Sequence, residues 1–149
     1  MLKYTIPSLC LLILTSCASM DSHYRARSGG DFYGYREIKI DKNKFLLSYI
    51  HPGNEELKAH QYLYKRALEI AQTQKKKYVW VKEVTPEQAE KYRDDLMKGP
   101  SIKDIHFRLL KEIRLRDTTP QTGNYLTQEH IVEAIDTCLT MDCFNEAIE

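Results

Sequence analysis

The chain has 149 residues, with 22 Lys and Arg against 21 Asp and Glu and a formal net charge of +1. That balance lacks the basic excess a nucleic-acid binder needs and the polybasic arm of an electrostatic membrane binder. Its length suits one domain preceded by a short leader.

The first element is that leader. Lys3 gives a positive start, and Leu9 to Leu14 form an apolar core well below the ~20 residues that span a bilayer. The usual small-x-small cleavage site is not obvious. Leu14-Thr15-Ser16-Cys17 stands in its place and resembles the bacterial lipobox. The resemblance implies a diacylglycerol thioether on Cys17, cleavage after Ser16, and acylation of the new amino group. Each buried acyl CH₂ contributes ~0.8 kcal/mol, so several chains anchor durably where one does not. The plain alternative is an ordinary cleaved signal with an incidental Cys. Ala18 and Ser19 follow where an Asp would imply inner-membrane retention, so the same resemblance implies the outer membrane. Removing residues 1–16 takes away Lys3 and no acid, which leaves 21 bases and 21 acids. The expected division is 1–16 signal peptide, 17–34 lipidated Cys17 and flexible tether, and 35–149 a single domain. Within the tether His23, Arg25 and Arg27 would contact phosphate head groups or, as we favour, stay solvated.

Residues 35–40 alternate, Asp41 to Lys44 supply turn chemistry, and Phe45 to Ile50 are apolar and β-rich. A hairpin over 35–40 and 44–50 is predicted. His51-Pro52-Gly53 breaks the chain, with His51 read as a turn residue. Asn54 is the predicted cap of a helix to about Lys75, with Glu55 and Glu56 at its positive end. Leu57, Tyr64, Ala67, Leu68 and Ala71 share its apolar stripe. Lys75, Lys76 and Lys77 are read as solvated charges complementing the helix dipole. Tyr78 to Val84 form a strand, in which Trp80, the only Trp, is assigned to the core rather than to a ligand platform.

Thr85-Pro86-Glu87-Gln88 combines a capping box with Pro at the first helical position, predicting a surface helix to about Lys98. A strand is favoured over 107–116, with residues 101–105 left open between helix and strand. Asp117 to Tyr125 read as a loop. Thr127 caps a last helix that carries Ile131, Ala134, Ile135 and Cys138. The order ββαβ(α)βα predicts an α+β fold, a small antiparallel or mixed sheet of about four strands packed on the long helix.

Cys10 leaves with the signal, so Cys138 and Cys143 form the candidate disulfide pair in an oxidising compartment. On an unbroken helix their Cα atoms would lie more than ~7 Å apart, too far to bridge. Pairing therefore requires the helix to end near Thr140 to Asp142. None of the five His falls in H-E-x-x-H or Cys/His ligand spacing. There is no G-x-S-x-G, P-loop, dinucleotide fingerprint or C-x-x-C. Neither a metal nor a cofactor beyond the lipid on Cys17 is expected.

The domain resembles a family of uncharacterised proteobacterial lipoproteins. The match is carried by Gly34-Tyr35-Arg36-Glu37, Phe45, Arg66-Ala67-Leu68-Glu69-Ile70, Tyr78 with Trp80, and Glu112-Ile113-Arg114-Leu115. It departs at Lys76-Lys77, where the family has Gly, at Leu109, where it has Ala, and at Pro86 to Lys98, where it has a Gly-rich insertion. The resemblance supplies no activity. It does group Glu37, Arg66, Glu69 and Glu112 as an expected ion-pair cluster joining strand to helix, Arg66 and Glu69 sharing a helix face. An anion site on Arg66 is the functional reading, and an architectural contact at the sheet rim is the one we favour. The expected function is a non-enzymatic, lipid-anchored envelope protein facing the periplasm, with another envelope component as partner. A periplasmic small-ligand or metal-binding domain is the runner-up, and thiol catalysis follows it.

Overall fold

The alternation over 35–40 and the apolar run after Lys44 form the predicted hairpin. β1 (Gly34–Asp41) and β2 (Lys44–His51) pair antiparallel, with Tyr35 opposite Tyr49. Asp41 Oδ1 accepts the Asn43 N–H at 2.9 Å and closes the turn. The structure is a computed structural model that describes residues 24–27, 33–97 and 107–149. After the hairpin come α1 (Glu56–Thr73), β3 (Tyr78–Glu83), α2 (Pro86–Lys91), α3 (Arg93–Met97), β4 (Phe107–Arg116), β5 (Leu126–Thr127), α4 (Gln128–Thr137) and α5 (Met141–Ile148).

The fold is α+β. Among the described residues its sheet has five strands rather than about four, in the order β1-β2-β4-β3-β5, and these strands pair antiparallel throughout. Because β2 and β3 both oppose β4, they run parallel to each other, and α1 is the crossover that parallel strands require. Three features extend the expected order, among them α5, which follows the helix expected to be the last. β5 has only two residues, too few to alternate visibly. The single helix expected after Thr85 is two short ones, since Tyr92 closes α2 with φ −107° and ψ 12°. The capping box itself forms as predicted, with Thr85 and Gln88 bonding reciprocally.

Alternate residues divide the sheet into two faces. Phe45, Leu47, Tyr49, Val79, Leu109, Ile113 and Leu115 turn toward α1, which buries Ala59, Leu63, Ala67, Leu68 and Ala71 against them. Each fully buried Leu or Ile contributes about 1.5–3 kcal/mol. α4 and α5 complete this layer with Ile131, Ala134 and Phe144, whose ring meets Tyr64 edge-on at 5.3 Å. Leu46, Ser48 and Ile50 point to the second face and are also buried. Toward that side α2 contributes Gln88, bonded to Glu112, and α3 the Asp95 carbonyl, which accepts from Arg36 Nη1 at 3.1 Å.

The ends of α1 differ from expectation. Glu55, not Asn54, is the N-cap, and the Asn54 carbonyl is taken by the Glu56 N–H at 3.1 Å. At the other end Lys75 has φ 55°, the Lys76 N–H donates to Ala71 O at 2.8 Å, and the Lys75 N–H to Gln72 O at 3.0 Å. That is a Schellman motif with Lys where Gly is usual. The three lysines thus lie beyond the helix. Lys76 is buried and bonded to Asp117 at 2.6 Å, not solvated. His51 is likewise no simple turn residue. It ends β2, buried, and its Nδ1 accepts the Gly53 N–H at 3.2 Å.

Part of the segment expected as free tether is docked. Ala26 bridges in parallel to Tyr35, the Arg27 N–H donates to Tyr35 O at 2.6 Å, and the Tyr35 N–H to Arg25 O at 2.8 Å. Gly34 has φ +117°, and a Cβ there would lie 2.3 Å from Arg25 O, so only Gly allows this approach. Tyr24 packs between Tyr35 and Tyr62, with centroids at 5.5 and 5.4 Å. The ordered body therefore begins before residue 35.

Candidate functional site: a cationic and aromatic sheet face

β4 holds the centre of the second face. With Leu109, Ile113 and Leu115 directed at α1, the alternation sends Glu112, Arg114 and Arg116 the other way. Register then selects their neighbours. Lys82 stands opposite Glu112, while Lys44 and Trp80 flank Arg114. Glu112, only 1% exposed, becomes a hub. Its carboxylate lies 2.5 Å from Arg114 Nε, 3.3 Å from Lys44 Nζ and 4.0 Å from Lys82 Nζ, and it accepts from Gln88 Nε2. Burial pushes the Glu112 carboxyl up. Hydrogen bonds from Gln88 and Arg114, the Arg114 charge and Lys44 more than offset this and hold it below its ordinary value.

Aromatic rings lie beside the cations. Trp80 is half-buried on this face, not in the core under α1, and its ring meets Tyr125 at 5.3 Å. Lys82 and Arg114 stand over Trp80 at 5.2 and 5.5 Å, and Arg116 over Tyr125 at 5.4 Å. Arg116 Nε also donates to the Tyr125 hydroxyl at 3.1 Å. Cation–π pairs of this kind contribute about 0.5–1 kcal/mol at exposed sites. Gly123, with φ +96°, lets the loop lie against both rings, since a Cβ there would sit 3.2 Å from each. Beside them opens a cavity of about 600 Å³ whose wall includes Asn43, Lys44, Arg114, Arg116 and Tyr125. The Asn43 Oδ1 is buried and accepts no hydrogen bond among the described residues.

Of the expected ion-pair cluster, three members come together and one does not. Arg66 Nε meets Glu37 Oε2 and Arg66 Nη1 meets Glu69 Oε2, each at 2.8 Å, and the guanidinium lies 4.5 Å over the Tyr35 ring. Burial works against the Arg66 charge, but the two carboxylates outweigh it and raise its pKa above the ordinary value. Glu112 is on the other side of the sheet. Glu37 shares the α1 side with Tyr35, whereas Glu112 is one step out of phase with Ile113. Beside Arg66, burial raises the Tyr24 phenol above its ordinary pKa, and the adjacent Glu69 adds to that.

The break between α4 and α5 brings Cys138 and Cys143 together. Cys138 is the C-cap of α4, Thr140 caps α5 by accepting the Cys143 N–H, and the Cα atoms are 5.4 Å apart with the sulfurs joined. The preceding helix ends at Thr137, a few residues before the break anticipated at Thr140 to Asp142. His60 stacks edge-on to Phe144 at 6.4 Å, and burial, then the Lys111 charge, lower its pKa. Cys17, His23, His106 and residues 101–105 lie outside the described residues. Among the described residues no group of three His, Cys, Asp or Glu is placed to hold a metal, and no helix is long and apolar enough to cross a membrane. No family model, curated protein or solved structure matches the chain.

Proposed function

We propose that this chain is a lipid-anchored envelope protein that acts by binding rather than by catalysis. Cys17 carries the lipid, and the domain works at the outer membrane, facing the periplasm. The observation that supports binding is the second sheet face. Three cations gather there on the single carboxylate of Glu112, with Arg116, Trp80 and Tyr125 alongside. Such a face favours an anionic surface of an envelope component. The lipobox and the resemblance to proteobacterial lipoproteins support the anchor. Tyr24, seven positions after Cys17, is already docked on the domain. Seven extended residues span at most about 25 Å, so a lipid on Cys17 holds the domain close to the bilayer.

The test is in-cell crosslinking and affinity recovery of the tagged protein beside its Cys17→Ser variant. One dominant envelope component, recovered with the native protein and lost with the variant, is the expected result. Recovery of nothing recurrent by either form contradicts it.

A further inference from the structure

We propose that the cavity at the β1–β2 turn binds a phosphate group, held by the guanidinium forks of Arg114 and Arg116 with Lys44 beside them. The inference rests on the reading of this sheet face as a binding surface and names the chemistry that the face takes. It does not depend on lipidation of Cys17.

The two arginines carry the argument. They stand two positions apart on β4 and on one face, which sets their Cα atoms about 7 Å apart. Each is fixed at Nε and open at its tip. Arg114 Nε donates to Glu112 at 2.5 Å, and Arg116 Nε donates to the Tyr125 hydroxyl at 3.1 Å. Each guanidinium also lies against a ring, Arg114 at 5.5 Å from Trp80 and Arg116 at 5.4 Å from Tyr125. Among the described residues the terminal Nη nitrogens of both donate no hydrogen bond. Both side chains line one cavity together with Lys44. A planar fork already anchored at Nε loses little freedom when its tip takes an oxyanion.

Charge and donor count decide which anion fits. Around the cavity and its rim Lys44, Lys76, Lys82, Arg114 and Arg116 face the carboxylates of Asp41, Glu112 and Asp117. Five cations against three carboxylates leave two positive charges over. Glu112 is shared by three of the cations and Asp117 is taken by Lys76, while Arg116 meets only the uncharged Tyr125. Two forks and an ammonium offer more donors than the two oxygens of a carboxylate can accept. A phosphate monoester brings three acceptor oxygens and a charge of about −1.5 to −2 at pH 7, so it matches the donors and the charge together. The cavity of about 600 Å³ has room beyond one phosphate for the molecule that carries it. That carrier is a soluble monoester or a lipid headgroup, and the phosphate chemistry is common to both.

The experiment titrates the full chain, in a detergent with neutral headgroups and at constant ionic strength, with inorganic phosphate and with acetate. A second arm adds phosphatidic acid to the micelles, with phosphatidylcholine as control. Emission from Trp80, whose ring Arg114 lies over, reports the site. A saturable response to phosphate is expected, with acetate about tenfold weaker or more. A phosphate response that phosphatidic acid suppresses assigns the site to a lipid headgroup, and one that it leaves unchanged assigns it to a soluble phosphate. Arg116→Gln, at an exposed side chain, should weaken phosphate about tenfold with an unchanged melt. Arg116→Lys keeps the charge and loses the fork, and should fall between Arg116→Gln and the native protein. The proposal is overturned if acetate binds as tightly as phosphate, or if neither phosphate nor phosphatidic acid saturates by about 10 mM. It is equally overturned if Arg116→Gln or Arg116→Lys binds like the native protein. A failed titration beside a recovered envelope partner removes the phosphate site and keeps the binding face.

Discussion

Glu112 and Arg114 stand two positions apart on β4, on the same face, and meet at 2.5 Å between Oε1 and Nε. Neighbours two apart along a strand share a face, so the pair follows from strand geometry alone. What makes it consequential is the 1% exposure of Glu112. Replacing it by Gln leaves Lys44, Lys82 and Arg114 without their counter-charge. Because these cations are partly exposed, the expected loss is about 2–3 kcal/mol, below the range for a fully buried pair. Urea unfolding of Glu112→Gln against the native protein measures it.

The same carboxylate makes stability depend on pH. Its folded pKa lies below the ordinary 4.5, so the native state holds the charge longer than the unfolded chain does. Its contribution is fully present above the unfolded value. It is lost as pH falls through the lower, folded value. Unfolding free energies from about pH 6 to about pH 3 should fall less steeply in Glu112→Gln than in the native protein. Parallel curves would remove Glu112 from the account.

Arg66 ties β1 to α1 through Glu37 and Glu69 and lies over Tyr35, with Tyr24 docked alongside. Arg66→Ala should therefore lower stability by about 1–2 kcal/mol and the melting temperature by about 4–8 °C. A calorimetric melt equal to that of the native protein would contradict an architectural role.

Lys75 occupies the left-handed position of the Schellman motif with φ 55°. Glycine carries no Cβ penalty there. Lys75→Gly should stabilise the protein by about 0.5–1 kcal/mol, against the usual sign of a Gly substitution. A loss of stability in denaturant unfolding would show that the Lys75 side chain contributes more than its backbone strain removes.

The Cys138–Cys143 bridge closes a loop of sequence separation 5. So short a loop gives about 2 kcal/mol in the chain-entropy account. Reduction should expose α5 first, because Phe144, fully buried, follows Cys143 directly. Hydrogen exchange at residues 141–148, with and without reductant, checks this, and native-state alkylation at either thiol would contradict the bridge.

The parts of this fold that were legible in the sequence are those with a long periodic pattern. The stripe of α1 and the alternation of β1 and β4 span several turns or steps, and Thr85 and Thr127 announce their helices by capping chemistry. The parts that were not legible are short or depend on partners distant in sequence. β5 is two residues long, and α5 starts only three residues after Cys138. Docking of Tyr24 requires Tyr35 and Tyr62, which no local pattern connects to it. Glu112 was grouped with Arg66 although Ile113 marks the core face and puts its neighbour on the other side. Period-two reasoning alone would have separated them. Trp80 carried the same signal, since Val79 and Val81 take the core side. Lys76 gave none, because its partner Asp117 is forty-one positions away.

On the proposed reading Cys17 holds a binding domain at a membrane. Intact-mass measurement of the protein extracted from membranes, with fragmentation of its amino end, decides whether it does. The expected product begins at Cys17 and carries the mass of a diacylglyceryl group plus an acyl chain. A chain that retains residues 1–16, or begins elsewhere with an unmodified Cys17, would contradict it.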